Sequence, residues 1–275
     1  MILIQILFII TAAFLFLIAP NVLHPKRDFK SLTGRLYAHR GLHDALIPEN
    51  SLPAFEKAAE KGYGIELDVH MTKDDRLIVF HDSDLRRICG QSGTVEEKTL
   101  EELSACRLAG TDNRIPTFDE AMTLIAGRVP VIIELKSLSR DKKIAMAVND
   151  YLVNYQGVYC VESFNPFLMN WYRRNRPDVV RGQLSGALYA GKDGPAEEKV
   201  LLFLLRNLLV DCISRPDFIA YGYEGEKNFC CRAVRKLFRP LWATWTVKTP
   251  ESEKSLKKRY DILIFEGYEP DQAQV

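Results

Sequence analysis

The chain has 275 residues, of which 47% are hydrophobic and 27% are charged. This length fits one α/β barrel of roughly 250 residues and needs no second domain. Lysine and arginine number 37 and aspartate and glutamate 36, and this balance gives no reason to expect a nucleic-acid partner. The six cysteines include no CxxC pair, which argues against a zinc site and favours reduced, structural thiols.

The chain begins with an apolar run at residues 2–19 that contains no charged residue. A run of this length is at the lower limit, roughly 18 residues, for a helix that spans a bilayer. No basic segment precedes it and no A-x-A site follows it, so a cleaved signal would be atypical. Lys26, Arg27 and Lys30 follow the run, and we interpret residues 20–30 as a linker. The charges predict a single-pass membrane anchor at residues 1–19, with the remaining chain in the cytoplasm.

From residue 31 to residue 275, short β-rich runs alternate with helical patterns. Two helical patterns, at residues 51–62 and 117–127, begin with a hydroxyl residue that could cap a helix and end with glycine. The eight predicted strands are Leu36–Ala38, Ile65–Val69, Val131–Leu135, Val158–Val161, Val180–Leu184, Phe218–Ala220, Leu241–Thr246 and Ile262–Phe265. This alternation indicates parallel βαβ units, and eight of them predict a TIM-type (β/α)8 barrel.

One segment, at about residues 71–115, does not fit the alternation. It contains a turn signal, TKDDR at residues 72–76, then one further strand at Leu77–Phe80 and polar loops. We interpret it as a small insertion after the second strand, on the rim of the barrel.

Acidic residues lie on two of the predicted strands. Glu66 and Asp68 are two positions apart, so both side chains face the same side of a strand, here the barrel interior. Glu134 on the third barrel strand supplies another carboxylate. Three hard oxygen ligands suit one divalent cation, Mg²⁺ or Ca²⁺. The sequence therefore predicts a metal site in the barrel mouth.

Two histidines and two cations lie near the predicted strand ends, where barrels of this kind place their catalytic groups. His39 follows the first strand, and His81 ends the strand of the insertion. Imidazole transfers protons near neutral pH, which makes these two residues candidates for general acid and general base. Arg40 and Lys136 are candidate ligands for a phosphate group.

The other histidines and one Glu-Asn pair have weaker signals. We expect His24, in the linker, to have no role, and His43 and His70 to be solvated or to support the site. Glu49 and Asn50 open the first barrel helix. They could cap that helix, or they could support the site from behind.

The motifs together resemble the glycerophosphodiester phosphodiesterase family. The matching segments, in the order typical of that family, are AHRG (38–41), PENS (48–51), IELDVHMTKDD (65–75), VFHD (79–82), IPTFDEAM (115–122), IIELK (132–136), SFNP (163–166), RPDFIAY (215–221), WTV (245–247) and IFEG (264–267). PENS replaces the commoner PENT and TKDD replaces TKDG, and neither change affects the chemistry. HRG alone is a weak signal, but the ordered set is highly specific.

The resemblance implies a (β/α)8 barrel that hydrolyses glycerophosphodiesters to glycerol 3-phosphate and an alcohol with a divalent cation. The roles it implies are acid and base for His39 and His81, metal ligands for Glu66, Asp68 and Glu134, phosphate ligands for Arg40 and Lys136, and apolar pocket walls for Phe164 and Trp245. The nucleophile is water or the substrate's own glycerol hydroxyl, by way of a cyclic phosphate.

Two other functions compete with this interpretation. The predicted anchor at residues 2–19 makes a lysolipid substrate plausible, so the first is hydrolysis of lysophospholipids by a lysophospholipase D-type reaction. The second is a membrane-tethered barrel that binds a polyol phosphate without catalysis. An isomerase is disfavoured, since no glycine-rich phosphate loop occurs late in the barrel.

Overall fold

The computed structural model describes residues 1–21, 29–137, 139–189 and 195–271. His24, Lys26, Arg27 and most of the predicted linker at 20–30 lie outside the described residues.

The described chain contains nine strands. They are β1 (Leu36–His39), β2 (Gly64–Met71), β3 (Leu77–Val79), β4 (Val131–Leu135), β5 (Tyr159–Ser163), β6 (Arg181–Ser185), β7 (Phe218–Tyr221), β8 (Leu241–Val247) and β9 (Ile262–Phe265). Eight of them pair in parallel in the order β1-β2-β4-β5-β6-β7-β8-β9, and β9 pairs with β1. The ring is closed, which confirms the predicted TIM-type barrel. β3 is antiparallel to β2 and lies outside the ring.

The described residues form eleven α-helices, most of which follow barrel strands. They are α1 (Ile2–Ile18), α2 (Leu52–Glu60), α3 (Arg86–Cys89), α4 (Leu100–Ser104), α5 (Phe118–Ile125), α6 (Lys143–Leu152), α7 (Pro166–Asn175), α8 (Ala196–Arg206), α9 (Asp211–Ser214), α10 (Phe229–Leu237) and α11 (Pro250–Leu256). Local signals start two of them. The Ser51 hydroxyl accepts from the amide of Ala54, and Thr117 forms a capping box with Glu120.

The apolar core has two layers because successive residues of each strand face opposite sides. Ile132 packs inside the barrel with Phe218 and Ile264. Its neighbour Ile133 packs outside, in the layer between the strands and the helices that includes Phe55. This arrangement explains why the strands read as continuous apolar runs.

The segment between β2 and α5 has a small core of its own. It contains β3, α3 and α4, and its buried cluster is Ile78, Phe80, Leu85, Val95, Leu103, Cys106, Leu108 and Ile115. The cluster fixes the end of β3, and with it the position of His81.

The N-terminal helix α1 does not match the predicted anchor. It has 17 residues, so its length of roughly 26 Å is shorter than the roughly 30 Å hydrocarbon core of a bilayer. Its last turn packs on the barrel domain, where Ile18 is buried and Arg215 donates to the carbonyls of Phe16 and Ala19 at 3.1 and 2.7 Å.

Among the helices of residues 1–21, 29–137, 139–189 and 195–271, none combines the length and the apolar character needed to cross a membrane. The predicted single-pass membrane span at residues 1–19 is therefore wrong. The predicted orientation depended on that span and has no support without it.

Candidate active site

Three buried carboxylates meet at the carboxyl end of the barrel strands. Glu66 and Asp68 lie on β2, and the strand register places Asp68 opposite Glu134 on β4. All three side chains enter the barrel interior, and one oxygen of each lies within 4.8 Å of the others. This is the group of residues that the sequence predicted as a metal site.

The charges of this acidic cluster are only partly balanced by protein cations. Burial and the neighbouring carboxylates raise the pKa of Glu66 well above its usual range, and the same causes raise the pKa of Glu134 to about 7. Burial also opposes ionisation of Asp68, but the combined positive charge of Lys136, His81, Arg40 and His39 outweighs it and holds the pKa of Asp68 low. Of these groups Lys136 contributes most, with Nζ 3.0 Å from Oδ1. A bound divalent cation would favour the ionised form of all three, so the donor set fits a hard cation.

Two cations border the acidic cluster. Lys136 Nζ also lies 2.8 Å from Glu134 Oε1. Arg40 Nε lies 3.6 Å from Asp68 Oδ2, and this buried N–H has no hydrogen-bond partner among the described residues. The turn that places Arg40 requires Gly41, which has φ +79° and whose added Cβ would meet Ala54 at 2.9 Å. These cations are positioned to contact an anion above the cluster.

Each of the two predicted histidines contacts a carboxylate through Nδ1. His39 Nδ1 lies 2.8 Å from Glu266 Oε2, and His81 Nδ1 lies 2.6 Å from Asp82 Oδ1. A carboxylate at Nδ1 fixes the ring and leaves Nε2 to exchange a proton with a ligand. The hydrogen bond from His39 lowers the pKa of Glu266 to about 2, so this carboxylate is ionised at neutral pH. Burial lowers the pKa of His81.

A chain of ion pairs connects His81 to Arg40. Arg87 Nε lies 2.5 Å from Asp82 Oδ2, and its two terminal nitrogens each lie 2.8 Å from an oxygen of Glu49. Glu49 in turn accepts from Arg40 at 2.7 Å. Glu49 therefore binds both Arg40 and Arg87, and all three residues line the cavity.

Asn50 lies behind the acidic cluster, where its amide donates to Asp68 Oδ2 at 2.8 Å. Ser51 caps α2, so neither Glu49 nor Asn50 serves as the cap. The structure therefore places both residues against site groups.

The remaining histidines have different surroundings. His70 is buried, with Nδ1 2.8 Å from Glu96 Oε1 and Nε2 3.2 Å from the carbonyl of His81. His43 Nε2 lies 3.8 Å from Glu266 Oε1. Both border the site without reaching the acidic cluster.

Aromatic side chains form one wall of the site. The rings of Phe164 and Trp245 are perpendicular, with centroids 6.0 Å apart. They border a cavity of about 390 Å³ that brings together most of the predicted groups, and its lining is His39, Arg40, Glu49, Glu66, His81, Arg87, Glu134, Lys136, Glu162, Phe164, Leu184, Trp245, Thr246, Lys248, Ile264 and Glu266.

Five charged residues at this cavity or its ion pairs were not predicted as site residues: Asp82, Arg87, Glu162, Lys248 and Glu266. For two of them, the position in the sequence indicated a place at the site. Asp82 directly follows a candidate histidine, and Glu266 follows the last barrel strand, where polar residues merit attention. Arg87 lies in an irregular segment and had no such signal.

Comparison with known proteins identifies the family. Residues 39–216 match the sequence model of the glycerophosphoryl diester phosphodiesterase family. A glycerophosphodiester phosphodiesterase from Caldanaerobacter subterraneus subsp. tengcongensis is 34% identical over 162 residues, which cover 54% of this chain and 65% of that protein. A human lysophospholipase D is 30% identical over 157 residues, which cover 52% of this chain and 49% of that protein.

The fold gives the same result. The structure of a glycerophosphodiester phosphodiesterase from Thermotoga maritima superposes with a TM-score of 0.62 at 26% identity, covering 84% of this chain and 93% of that one. The matches to the two curated relatives span about half to two thirds of their lengths. Because the family model covers more than half of the sequence, the chain belongs to the glycerophosphoryl diester phosphodiesterase family.

Proposed function

We propose that the chain is a metal-dependent phosphodiesterase that hydrolyses glycerophosphodiesters to glycerol 3-phosphate and an alcohol. The observation that carries the proposal is the grouping of two histidine–carboxylate pairs and three buried carboxylates at one cavity. A phosphodiester requires neutralisation of its negative charge and two proton transfers. The histidines can transfer the protons, and a cation held by the three carboxylates would supply the neutralising charge.

Glu66, Asp68 and Glu134 would hold one divalent cation, either Mg²⁺ or Ca²⁺. When bound, the cation supplies positive charge that polarises the phosphoryl group. Lys136 and Arg40 contribute fixed positive charge beside it and orient the phosphate through hydrogen bonds.

His39 and His81 would serve as the proton-transferring groups. Glu266 and Asp82 hold the two imidazoles at Nδ1, so that one Nε2 takes a proton from the nucleophile and the other gives a proton to the leaving alkoxide. The nucleophile is water or the substrate's glycerol hydroxyl. Direct attack by water predicts turnover of a diester that lacks this hydroxyl, whereas the cyclic route predicts none.

The test is release of glycerol 3-phosphate from glycerophosphocholine by the purified full chain. Activity should require Mg²⁺ or Ca²⁺ and should disappear with excess chelator. The absence of release with either cation, or undiminished release in chelator, would refute the proposal.

A second candidate is hydrolysis of lysophospholipids, which the human relative named lysophospholipase D supports. The aromatic wall of Phe164 and Trp245 offers apolar surface for an acyl chain. Comparing kcat/KM for lysophosphatidylcholine and glycerophosphocholine separates the two substrates. Binding of glycerol 3-phosphate with no turnover of either substrate would instead indicate a non-catalytic polyol-phosphate binder.

A further inference from the structure

Glu162 is a buried carboxyl group in the cavity that the proposed chemistry does not use. It lies on β5 and is 1% exposed. Its Cα pairs in register with Glu134, so the two neighbouring side chains both enter the barrel interior. Glu162 lines the same cavity as His39, Lys136 and Trp245.

One oxygen of this carboxyl group, Oε2, is buried and has no hydrogen-bond partner among the described residues. A buried acceptor without a partner is costly and therefore rare in folded proteins. The oxygens that group around a common cation position come from Glu66, Asp68 and Glu134, and Glu162 is not part of that set. The orphaned oxygen thus calls for a partner other than the cation.

The surroundings of Glu162 restrict the chemistry of that partner. A carboxylate repels a phosphate oxygen, and Lys136 and Arg40 already provide the positive contacts for phosphate. A cationic headgroup is disfavoured, since Lys136 Nζ lies 2.8 Å from the adjacent Glu134. A hydroxyl is neutral, and it can both donate and accept, so it pairs with a carboxyl group in either protonation state.

We propose that Glu162 hydrogen-bonds a hydroxyl of the substrate's glycerol moiety and thereby determines specificity for glycerol-containing phosphodiesters. The inference rests on the proposed function, since it takes the ligand to be a glycerol phosphate ester. A site built to bond a hydroxyl rejects an analogue that lacks it, because the buried group is then left unpaired.

The test compares two ligands that differ only in hydroxyl groups, glycerol 3-phosphate and propyl phosphate. Calorimetry with the full chain in saturating Mg²⁺ gives the ratio of their dissociation constants, and no turnover is needed. In the wild type, propyl phosphate should bind more weakly. In Glu162→Leu, the affinity for glycerol 3-phosphate should fall by roughly fivefold, the typical value of a hydrogen bond between neutral groups, because burial raises the pKa of Glu162 well above its usual range. The affinity for propyl phosphate should change less than about twofold, so the ratio approaches one.

Glu162→Gln keeps the size of the side chain and a neutral acceptor, so its ratio should lie between those of the wild type and Glu162→Leu. It also provides the measurement if the leucine variant does not fold. The matched control is Glu56→Gln, which removes a carboxylate on α2 that pairs with Arg128; neither residue lines the cavity. Its ratio should equal that of the wild type.

An equal loss of affinity for both ligands would overturn the inference, because a general effect on charge or structure weakens them alike. An unchanged ratio in both Glu162 variants would also overturn it. Wild-type hydrolysis of glycerophosphocholine is measured in parallel. If the wild type is active but its ratio is near one, only the role of Glu162 fails. If it neither hydrolyses glycerophosphocholine nor binds glycerol 3-phosphate, the proposed function fails and this inference with it.

Discussion

The two histidines of the site are supported by different parts of the molecule. His39 ends β1, and its partner Glu266 follows β9, the strand that pairs with β1 to close the ring. His81 follows β3, and its partner Asp82 is the next residue, held by Arg87 from the inserted segment. We call His39 and Glu266 the barrel half of the site, because their contact depends on closure of the barrel. We call His81, Asp82 and Arg87 the insertion half, because their position depends on the small core of the inserted segment.

The two halves therefore differ in how much of the domain must fold before their geometry forms. The barrel half brings together residues 227 positions apart in the sequence, so its geometry forms only when the whole domain folds. In the insertion half, the contacts of Asp82 with His81 and Arg87 join residues at most 5 positions apart in the sequence. The inserted segment also has its own apolar cluster. We therefore expect damage to the insertion to affect catalysis before it affects global stability.

The largest expected effect is loss of either histidine. If the two halves act in one reaction step, His39→Ala and His81→Ala should each lower kcat by roughly 10²–10⁴-fold with little change in KM. The double variant should lose much less than the product of the single losses, because groups acting together are non-additive. Steady-state kinetics with glycerophosphocholine provide the measurement. A near-normal kcat in one variant would show that its half of the site only positions the substrate.

Glu134, a member of the acidic cluster, should make the stability of metal-free protein depend on pH. Its pKa is raised from 4.5 to about 7, mainly by burial. The folded protein therefore binds more protons than the unfolded chain between these values. The contribution of this group to the unfolding free energy is full below about pH 4.5 and is lost as pH rises through 7. The loss should be on the order of 3 kcal/mol.

Urea denaturation in chelator at pH 5 and pH 8 measures this effect as the difference between wild type and Glu134→Gln. The wild type should lose stability relative to the variant at the higher pH, and saturating Mg²⁺ should abolish the loss by favouring the ionised carboxylate. Glu56→Gln, whose carboxylate is on the outer surface of α2, should show no such difference between the two pH values. An equal difference between wild type and Glu134→Gln at pH 5 and pH 8 would contradict the assignment.

Much of the barrel half could be predicted from the sequence, because short apolar runs that alternate with helical patterns, and the polar residues at the ends of those runs, are local features. Glu66 and Asp68 share a strand, so their common face is a matter of spacing. The contact between His39 and Glu266 was not predicted, although the predicted barrel pairs its first and last strands, because spacing in the sequence does not show which side chains touch across that pair. The link from Asp82 to Arg87 was hidden by the irregular backbone of the insertion.

The N-terminal run shows a different limit. Composition describes the apolar character of residues 2–19 but not where the helix ends, and α1 ends at Ile18 in contacts with Arg215. The prediction of a membrane span depended on a length that the fold does not provide.

A smaller effect should distinguish the supports of the two histidines. Glu266→Gln keeps the size of the side chain but removes the charge next to His39, and we expect kcat to fall by roughly 10- to 100-fold. Arg87→Met should cost only a few-fold, because Asp82 still contacts His81 at 2.6 Å without it. Both values come from kcat at saturating substrate. A greater loss in Arg87→Met than in Glu266→Gln would mean that the ion-pair chain, and not the direct carboxylate, orients the histidines.

The smallest effect on catalysis should come from the core of the insertion. Leu103 lies in that cluster and Leu168 in the layer between the barrel strands and the helices, and both are buried. Each Leu→Ala change creates a cavity that costs roughly 2–5 kcal/mol. For Leu168→Ala, the cost should appear in the global unfolding free energy. For Leu103→Ala, it should appear as faster amide hydrogen exchange confined to about residues 72–117, with a fall in kcat of a few-fold as His81 loses its fixed position.

Affinity for Mg²⁺ should be unchanged, since Glu66, Asp68 and Glu134 all lie on barrel strands. If Leu103→Ala instead lowered the global unfolding free energy as much as Leu168→Ala, the insertion and the barrel would form one cooperative unit, and the two halves of the site would not be mechanically separate.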